Sequence, residues 1–364
     1  MKATSKIITR RWIYIGLLVA IIVLIKVFSS NSDWVENIYA TKLYPIFSSF
    51  LRITLGWLPF SAGDIFYLLV ILWFLKKVWR FSGRLFRRRL NKEWFVSAGY
   101  KLLTIGIFVY IIFNIFWGIN YNRKEISTQL NLKITKIDTA DIKIIEKLLI
   151  IKINESKKAW VVQNVAYPTN KELFNRAVDC YRETEKMYPF LSYKIRSVKR
   201  SMFGVFGNYF GFTGYYNPFT GEAQVNTQVP KFILPYTTAH EIAHQLGYAK
   251  EEEANFAGYI AATSSADILF HYSAYLDLFV YANRQLSFVD TVAAKNFINQ
   301  LIPEVKADLK EWRTFLIKYK NPLEPFIRWA YGNYLRANAQ PKGINSYDEV
   351  IADLIAFYKK YGRI

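Results

Sequence analysis

A single cysteine, Cys180, and three histidines, His240, His244 and His271, stand in a chain of 364 residues. A lone cysteine forms no intrachain disulfide and builds no cysteine metal cage. A domain with one thiol also tolerates an oxidising compartment, because it cannot mispair internally. Acidic residues are in deficit: 28 Asp and Glu against 48 Lys and Arg leave a net charge of +20. Internal repeats and low-complexity tracts are absent, and a composition that is 52% hydrophobic excludes a disordered chain. The basic residues carry no nucleic-acid-binding motif, so no nucleic acid is expected as a partner. Their distribution points to a membrane: residues 1–119 hold 16 basic and 4 acidic residues, a net +12, while the rest of the chain, twice as long, holds +8.

Long uncharged runs lie in that same basic third. A spanning helix needs about 20 apolar residues, and Leu102–Tyr121 has 20 without a formal charge. Trp12–Phe28 carries only Lys26, near its end where the side chain can snorkel. A third run, Ile65–Leu75, becomes long enough if it starts near Ala62 and continues to Trp79, with Lys76 and Lys77 snorkelling. The expectation is a membrane region, residues 1–121, with transmembrane helices at about 12–28, 62–79 and 102–121. Between the second and third spans stand Lys76, Lys77, Arg80, Arg84, Arg87, Arg88, Arg89 and Lys92; between the first and second only Asp33, Glu36, Lys42 and Arg52. The positive-inside rule then places the N-terminus and the Arg-rich loop in the cytoplasm, and residues 122–364 outside it. The expected location is the bacterial inner membrane, multi-pass, with a periplasmic or extracellular C-terminal domain. Leu43–Phe60, interrupted by Pro45, Arg52 and Pro59, reads as either an interfacial helix or a re-entrant piece.

The C-terminal domain is expected to be mainly α (α+β), with a small β element before the active-site helix. Residues 139–187 read as two helices, the second opened by the capping-box pattern Thr169 to Glu172. In residues 191–229 glycines alternate with aromatics, which predicts short strands and turns. From 232 onward the pattern is helical, broken at Pro303, Pro322, Pro325 and Pro341.

Two of the three histidines fall in one motif: residues 240–244 read His-Glu-Ile-Ala-His. Positions four apart share a helix face, so His240 and His244 can direct both imidazoles at one ion, and Glu241 can take a proton from water there. Pro235 suits the first turn of such a helix and Gly247 the left-handed position that ends it. The competing reading makes Thr238 and Glu241 a capping box and the histidines ordinary core groups. Hydrolytic zinc sites use three protein ligands. Beyond Gly247, Glu251, Ala254, Asn255 and Gly258 share a stripe on a second helix, its small residues allowing close approach. Glu251 is the expected third ligand of Zn²⁺, Glu253 its rival, and Asn255 a partner for a ligating imidazole.

HExxH followed by Glu251-x-x-Ala-Asn255 resembles the gluzincin branch of zinc metallopeptidases, which implies a zincin-like domain, a Zn²⁺ cofactor and peptide hydrolysis. A metzincin would place His or Asp at 250, where Lys250 stands. More widely, the chain is similar to an uncharacterised family of bacterial inner-membrane proteins. That likeness rests on the three spans, on Gly214–Asn226, on His240–Gln245, on Glu253-Ala-Asn and on Asn345-Ser-Tyr; it implies no particular substrate. The gluzincin resemblance further implies that the strand around Glu222, Gln224 and Asn226 pairs with substrate backbone; the same segment also reads as an ordinary hairpin. Tyr215, Tyr216 and Tyr272 are candidates for oxyanion stabilisation, while His271, at the end of an apolar stretch, reads as structural. The expected partners are the lipid bilayer and a peptide or cell-wall peptide. The alternatives are a zinc amidase acting on cell-wall peptides and a non-catalytic membrane protein that keeps a structural metal.

Overall fold

The computed structural model describes residues 2–88, 90–164 and 166–364, with the side chains of residues 2–9 left undescribed. Arg89, part of the expected cytoplasmic loop, lies outside them. Helix α1 (Lys2–Ser29) is followed by a turn, α2 (Ser32–Trp34), and a π-helical segment, Val35–Leu43, that runs into α3 (Tyr44–Leu55). Two long helices follow, α4 (Ala62–Phe86) and α5 (Lys92–Phe116), capped by Ser61 Oγ on the Asp64 amide at 3.0 Å and by Asn91 Oδ1 on the Trp94 amide at 2.9 Å.

Among the described residues two helices, Arg10–Ser29 and Lys92–Phe116, are long and apolar enough to cross a membrane. The third expected span is corrected at its end. The helix stops at Phe116, and Trp117 with the 3₁₀ turn Gly118–Asn122 turns into the protein, where Trp117, Ile119, Asn120 and Tyr121 are buried. The run 62–79 is helical, but it holds Asp64, Lys76 and Lys77, where 12–28 holds only Lys26 and 102–116 no formal charge. Leu43–Phe60 does form a helix over α3. It rests on the C-terminal domain through Tyr44, Ser48 and Arg52, four residues apart, and leaves Ile46, Phe50 and Ile53 exposed.

The rest of the chain is mostly helical. A short turn, α6 (Ile126–Gln129), leads to α7 (Thr139–Gln163) and α8 (Asn170–Glu185), the latter closed by the Thr169–Glu172 capping box. Strand β1 (Val198–Arg200), helix α9 (Gly204–Phe210), β2 (Gly214–Asn217) and β3 (Glu222–Val225) precede α10 (Leu234–Gln245) and α11 (Glu251–Ser264). Then come α12 (Ile268–Val289), α13 (Thr291–Asn299), α14 (Pro303–Tyr319), α15 (Glu324–Ala337) and α16 (Val350–Tyr361). The sheet order is β1-β3-β2, with β3 parallel to β1 and antiparallel to β2. Among the core residues are Leu149, Leu173, Tyr181, Ile242, Phe256, Phe270 and Leu354. A second cluster joins Leu18 and Ile25 of α1, Ile111 of α5, Trp117 and Tyr44.

The sheet also holds the start of α4. The carboxylate of Glu222 accepts from the amides of Ala62 (3.1 Å) and Gly63 (2.6 Å), the first residues of α4. Asp64 accepts from the Met202 amide at 2.5 Å and from the Tyr215 hydroxyl. Gly63 lets the strand side chains come close: a Cβ would lie 2.3 Å from Gln224 Nε2 and 2.5 Å from Asn217 Nδ2, and those amides would have to shift.

Candidate metal centre

Helix α10 is buried along its whole length and carries the HExxH motif. It begins at Leu234 with Pro235 in its first turn, and Gly247, at φ +89°, follows its C-terminal residues. Thr238 is therefore no cap: its hydroxyl donates to Leu234 O at 2.7 Å inside the helix. Gln245, next after the motif, donates to Ser197 O at 2.9 Å and Gly221 O at 2.7 Å, fixing the helix against the sheet. Helix α11 crosses α10 at Gly258, where a Cβ would stand 3.0 Å from the His240 amide nitrogen. That approach delivers the N-terminus of α11 to the histidines.

Glu251 Oε2 lies 3.3 Å from His240 Nε2 and 3.4 Å from His244 Nε2. The three residues are the one His/Cys/Asp/Glu group among the described residues compact enough to hold a metal ion. Glu253 turns elsewhere, toward Lys250 at 3.8 Å. His244 Nδ1 sits 2.7 Å from Tyr248 O, so Nδ1 carries the proton and Nε2 is left as a ligand. Glu251 Oε2, Glu241 Oε2 and His240 Nδ1 are buried without a hydrogen-bond partner. Asn255 stands close enough to His240 to favour its charged form, and its own Nδ2 is also without a partner. Glu241 lies against Gly214 of β2: a Cβ there would come within 2.5 Å of Oε1.

Glu251 and the two imidazoles act on one another's protons. Burial favours a neutral carboxyl at Glu251, yet His244 and His240 hold it well below the usual range. Burial also works against a charged His244, but Glu251, Glu241 and the Tyr248 carbonyl outweigh it and bring its pKa to about 9. For His240 burial prevails over Glu251 and lowers the pKa. At Glu241 burial, with the Glu251 carboxylate, outweighs the pull of His244 and pushes the carboxyl up to about 8.

The other expected residues lie apart from this cluster or play a different part. Strand β3 is the middle strand, and both its edges are taken by β1 and β2. Glu222, Gln224 and Asn226 are fully buried, so they do not form an open pairing edge. Glu222 caps α4, Gln224 Nε2 donates to Ser61 Oγ at 2.8 Å, and Asn226 Nδ2 donates to Asn208 Oδ1 at 2.8 Å. The free edge beside Glu241 belongs to β2. Tyr215 engages Asp64, and Tyr216 accepts from Tyr44 at 3.2 Å and packs on Trp117. Tyr272 donates to Asp308 at 2.5 Å, and His271 Nε2 meets Ser265 O at 2.6 Å; neither reaches the cluster. Two tyrosines that sequence reasoning missed do reach it. Tyr331 donates to Glu251 Oε1 at 2.8 Å, and Tyr347, 3.1 Å from the Tyr331 hydroxyl, has its ring 6.5 Å from that of His240. Nearly a hundred residues of chain separate them from the motif, so no local spacing could announce them.

Fold and site together define a mostly helical protein with apolar N-terminal helices and a buried His–His–Glu cluster behind a three-stranded sheet. The chain belongs to the DUF3810 family, described as a protein of unknown function, whose model matches residues 39–355. No curated protein and no solved structure matches it.

Proposed function

We propose that the chain is a zinc metallopeptidase anchored in the bacterial inner membrane, its zincin-like domain on the periplasmic or outer side. The observation that carries this reading is the placing of one Glu251 oxygen between the two Nε2 atoms. Donors sharing a tetrahedral zinc at about 2.0–2.1 Å stand about 3.3–3.4 Å apart, and the separations here are 3.3 and 3.4 Å. The buried, unpartnered Glu251 Oε2 and the fixed His244 tautomer fit the same ion. His240, His244 and Glu251 would hold it, and when bound it supplies Lewis acidity toward a carbonyl oxygen and toward water. Glu241 then serves as general base: its unpartnered Oε2 accepts a proton from the attacking water and passes it to the departing amine. Tyr331 and Asn255 steady the ligands, and the free edge of β2 beside Glu241 is where an extended peptide can align by main-chain hydrogen bonds. The clustering of Lys and Arg from Lys76 to Lys92, at the end of α4 and the start of α5, supports this orientation through the positive-inside rule.

The test is metal content and turnover on purified full-length protein. About one zinc per chain is expected, lost in His240→Ala. Glu241→Gln should keep the zinc and abolish cleavage of a peptide library. Zinc bound without turnover of any peptide by the unaltered chain would leave a structural metal clasp instead, and undiminished cleavage by Glu241→Gln would remove Glu241 as the base.

A further inference from the structure

Helix α9 and its approach carry an apolar stripe. Met202, Val205, Phe206, Tyr209 and Phe210 recur at intervals of three and four and are all exposed, Phe206 by 62%. Helix α15 and the residue before it do the same with Leu323, Phe326 and Trp329, each exposed by more than 60%. The two helices are neighbours, joined where Tyr209 meets Tyr319 edge to face at 5.1 Å and Asn321 Nδ2 donates to Tyr209 O at 2.8 Å. Soluble surfaces seldom expose apolar side chains in such a continuous belt.

Both ends of the belt are tied to the long apolar helices at the ends nearest the domain. On one side the Met202 amide donates to Asp64, in the first turn of α4. On the other Tyr334 of α15 packs on Phe113, in the last turn of α5, and its hydroxyl meets that of Tyr121 at 3.1 Å. The exposed apolar side chains of α9 and α15 therefore stand next to the domain-side ends of α4 and α5. Lys320 and Arg328, both exposed, flank Phe326 and Trp329, as suits an anionic headgroup layer.

We infer that α9 and α15 are seated in the same lipid layer that α4 and α5 cross, as interfacial helices with their apolar faces down. The inference rests on the membrane reading of α4 and α5 and adds to it a second, non-spanning contact. The helix that meets the lipid also carries Tyr331, which holds Glu251, so the His–His–Glu cluster lies one helix width from the membrane surface.

The experiment is nitroxide accessibility on the full chain in vesicles of phosphatidylethanolamine and phosphatidylglycerol, with Cys180 replaced by serine. Single cysteines at Phe206 and Phe326, repeated at Phe210 and Trp329, are compared with Leu102 on α5 and with Phe288, an exposed phenylalanine on α12 away from the belt. The ratio of collisions with lipid-soluble oxygen to those with a water-soluble nickel chelate should be several-fold higher at the belt positions than at Phe288, shifting toward the Leu102 value. Belt positions that match Phe288 while Leu102 reads lipid overturn the seating and leave the membrane reading standing. Labels shielded from both reagents mean a protein cover and overturn it too. A Leu102 label that itself reads water removes the membrane reading on which the inference rests.

Discussion

The Tyr331 hydroxyl donates to Glu251 Oε1 at 2.8 Å, which leaves Oε2 as the atom between the two imidazoles. An outer hydrogen bond of this kind orients a ligand carboxylate and is typically worth 10- to 100-fold in metal affinity. Tyr331→Phe should weaken zinc binding by about that factor, measured by competition with a chromogenic chelator. Tyr272→Phe, on the far hydroxyl that engages Asp308, should leave zinc affinity unchanged.

Two glycines set the positions of the motif's neighbours, and they should fail differently. At Gly214 a Cβ would stand 2.5 Å from Glu241 Oε1 and 2.8 Å from its Cγ. Gly214→Ala should displace the Glu241 carboxylate, retaining about one zinc while lowering kcat by on the order of 100-fold. At Gly258 the obstruction is the backbone of His240, 3.0 and 3.1 Å away. Gly258→Ala should push α11 from α10, costing about 1–3 kcal/mol of stability and weakening zinc binding with it. Metal analysis and kinetics on the two variants separate the outcomes.

Arg123 forms a bidentate pair with Glu36, at 3.1 Å through Nε and 2.8 Å through Nη2, and its Nη1 donates to Leu246 O at 3.3 Å. Both side chains are buried, and the guanidinium also lies over the Tyr248 ring at 4.5 Å. Removing one member of such a pair strands the other charge, at about 3–5 kcal/mol. Glu36→Gln should lower the thermal midpoint by several degrees. The double variant Glu36→Gln, Arg123→Met should lose less than the sum of the two single changes.

Glu146 of α7 is fully buried, with neither oxygen hydrogen-bonded, and burial pushes its carboxyl up to about 8 against a smaller pull from Asn283. The folded chain therefore holds a proton that the unfolded chain releases near 4.5. The contribution to stability is fully present below pH 4.5 and is lost as pH rises toward 8. Glu146→Gln, which mimics the protonated form, should match the parent chain near pH 4.5 and melt higher at pH 8.5. The gain is on the order of 1–4 kcal/mol. Melting curves of both proteins across that range provide the check; a difference that does not change with pH would refute the assignment.

Much of the core of the site was legible because it is local. The i, i+4 histidines, Pro235 and Gly247 mark one helix, and the small residues of 251–258 mark its neighbour; the structure has both, crossing at Gly258. The alternation of glycines and aromatics before residue 230 likewise announced short strands. Strand order was not legible: nothing within Glu222–Val225 says that β1 and β2 will occupy both its edges, and the parallel β1–β3 pairing joins residues some 25 positions apart. Residues 117–121 were read as membrane because apolar side chains destined for lipid and for a protein core look alike in sequence. Tyr347 stood in the Asn345-Ser-Tyr triplet, but only the fold brings its ring near His240.

The capping of α4 by Glu222 has a mechanical consequence. The β2–β3 hairpin that flanks Glu241 also holds the first residues of α4, through Glu222 on Ala62 and Gly63 and through Gln224 on Ser61. No slack tether separates the two parts, so a tilt of one drags the other. The height of the histidine pair above the first turn of α4 is thus set by rigid joinery.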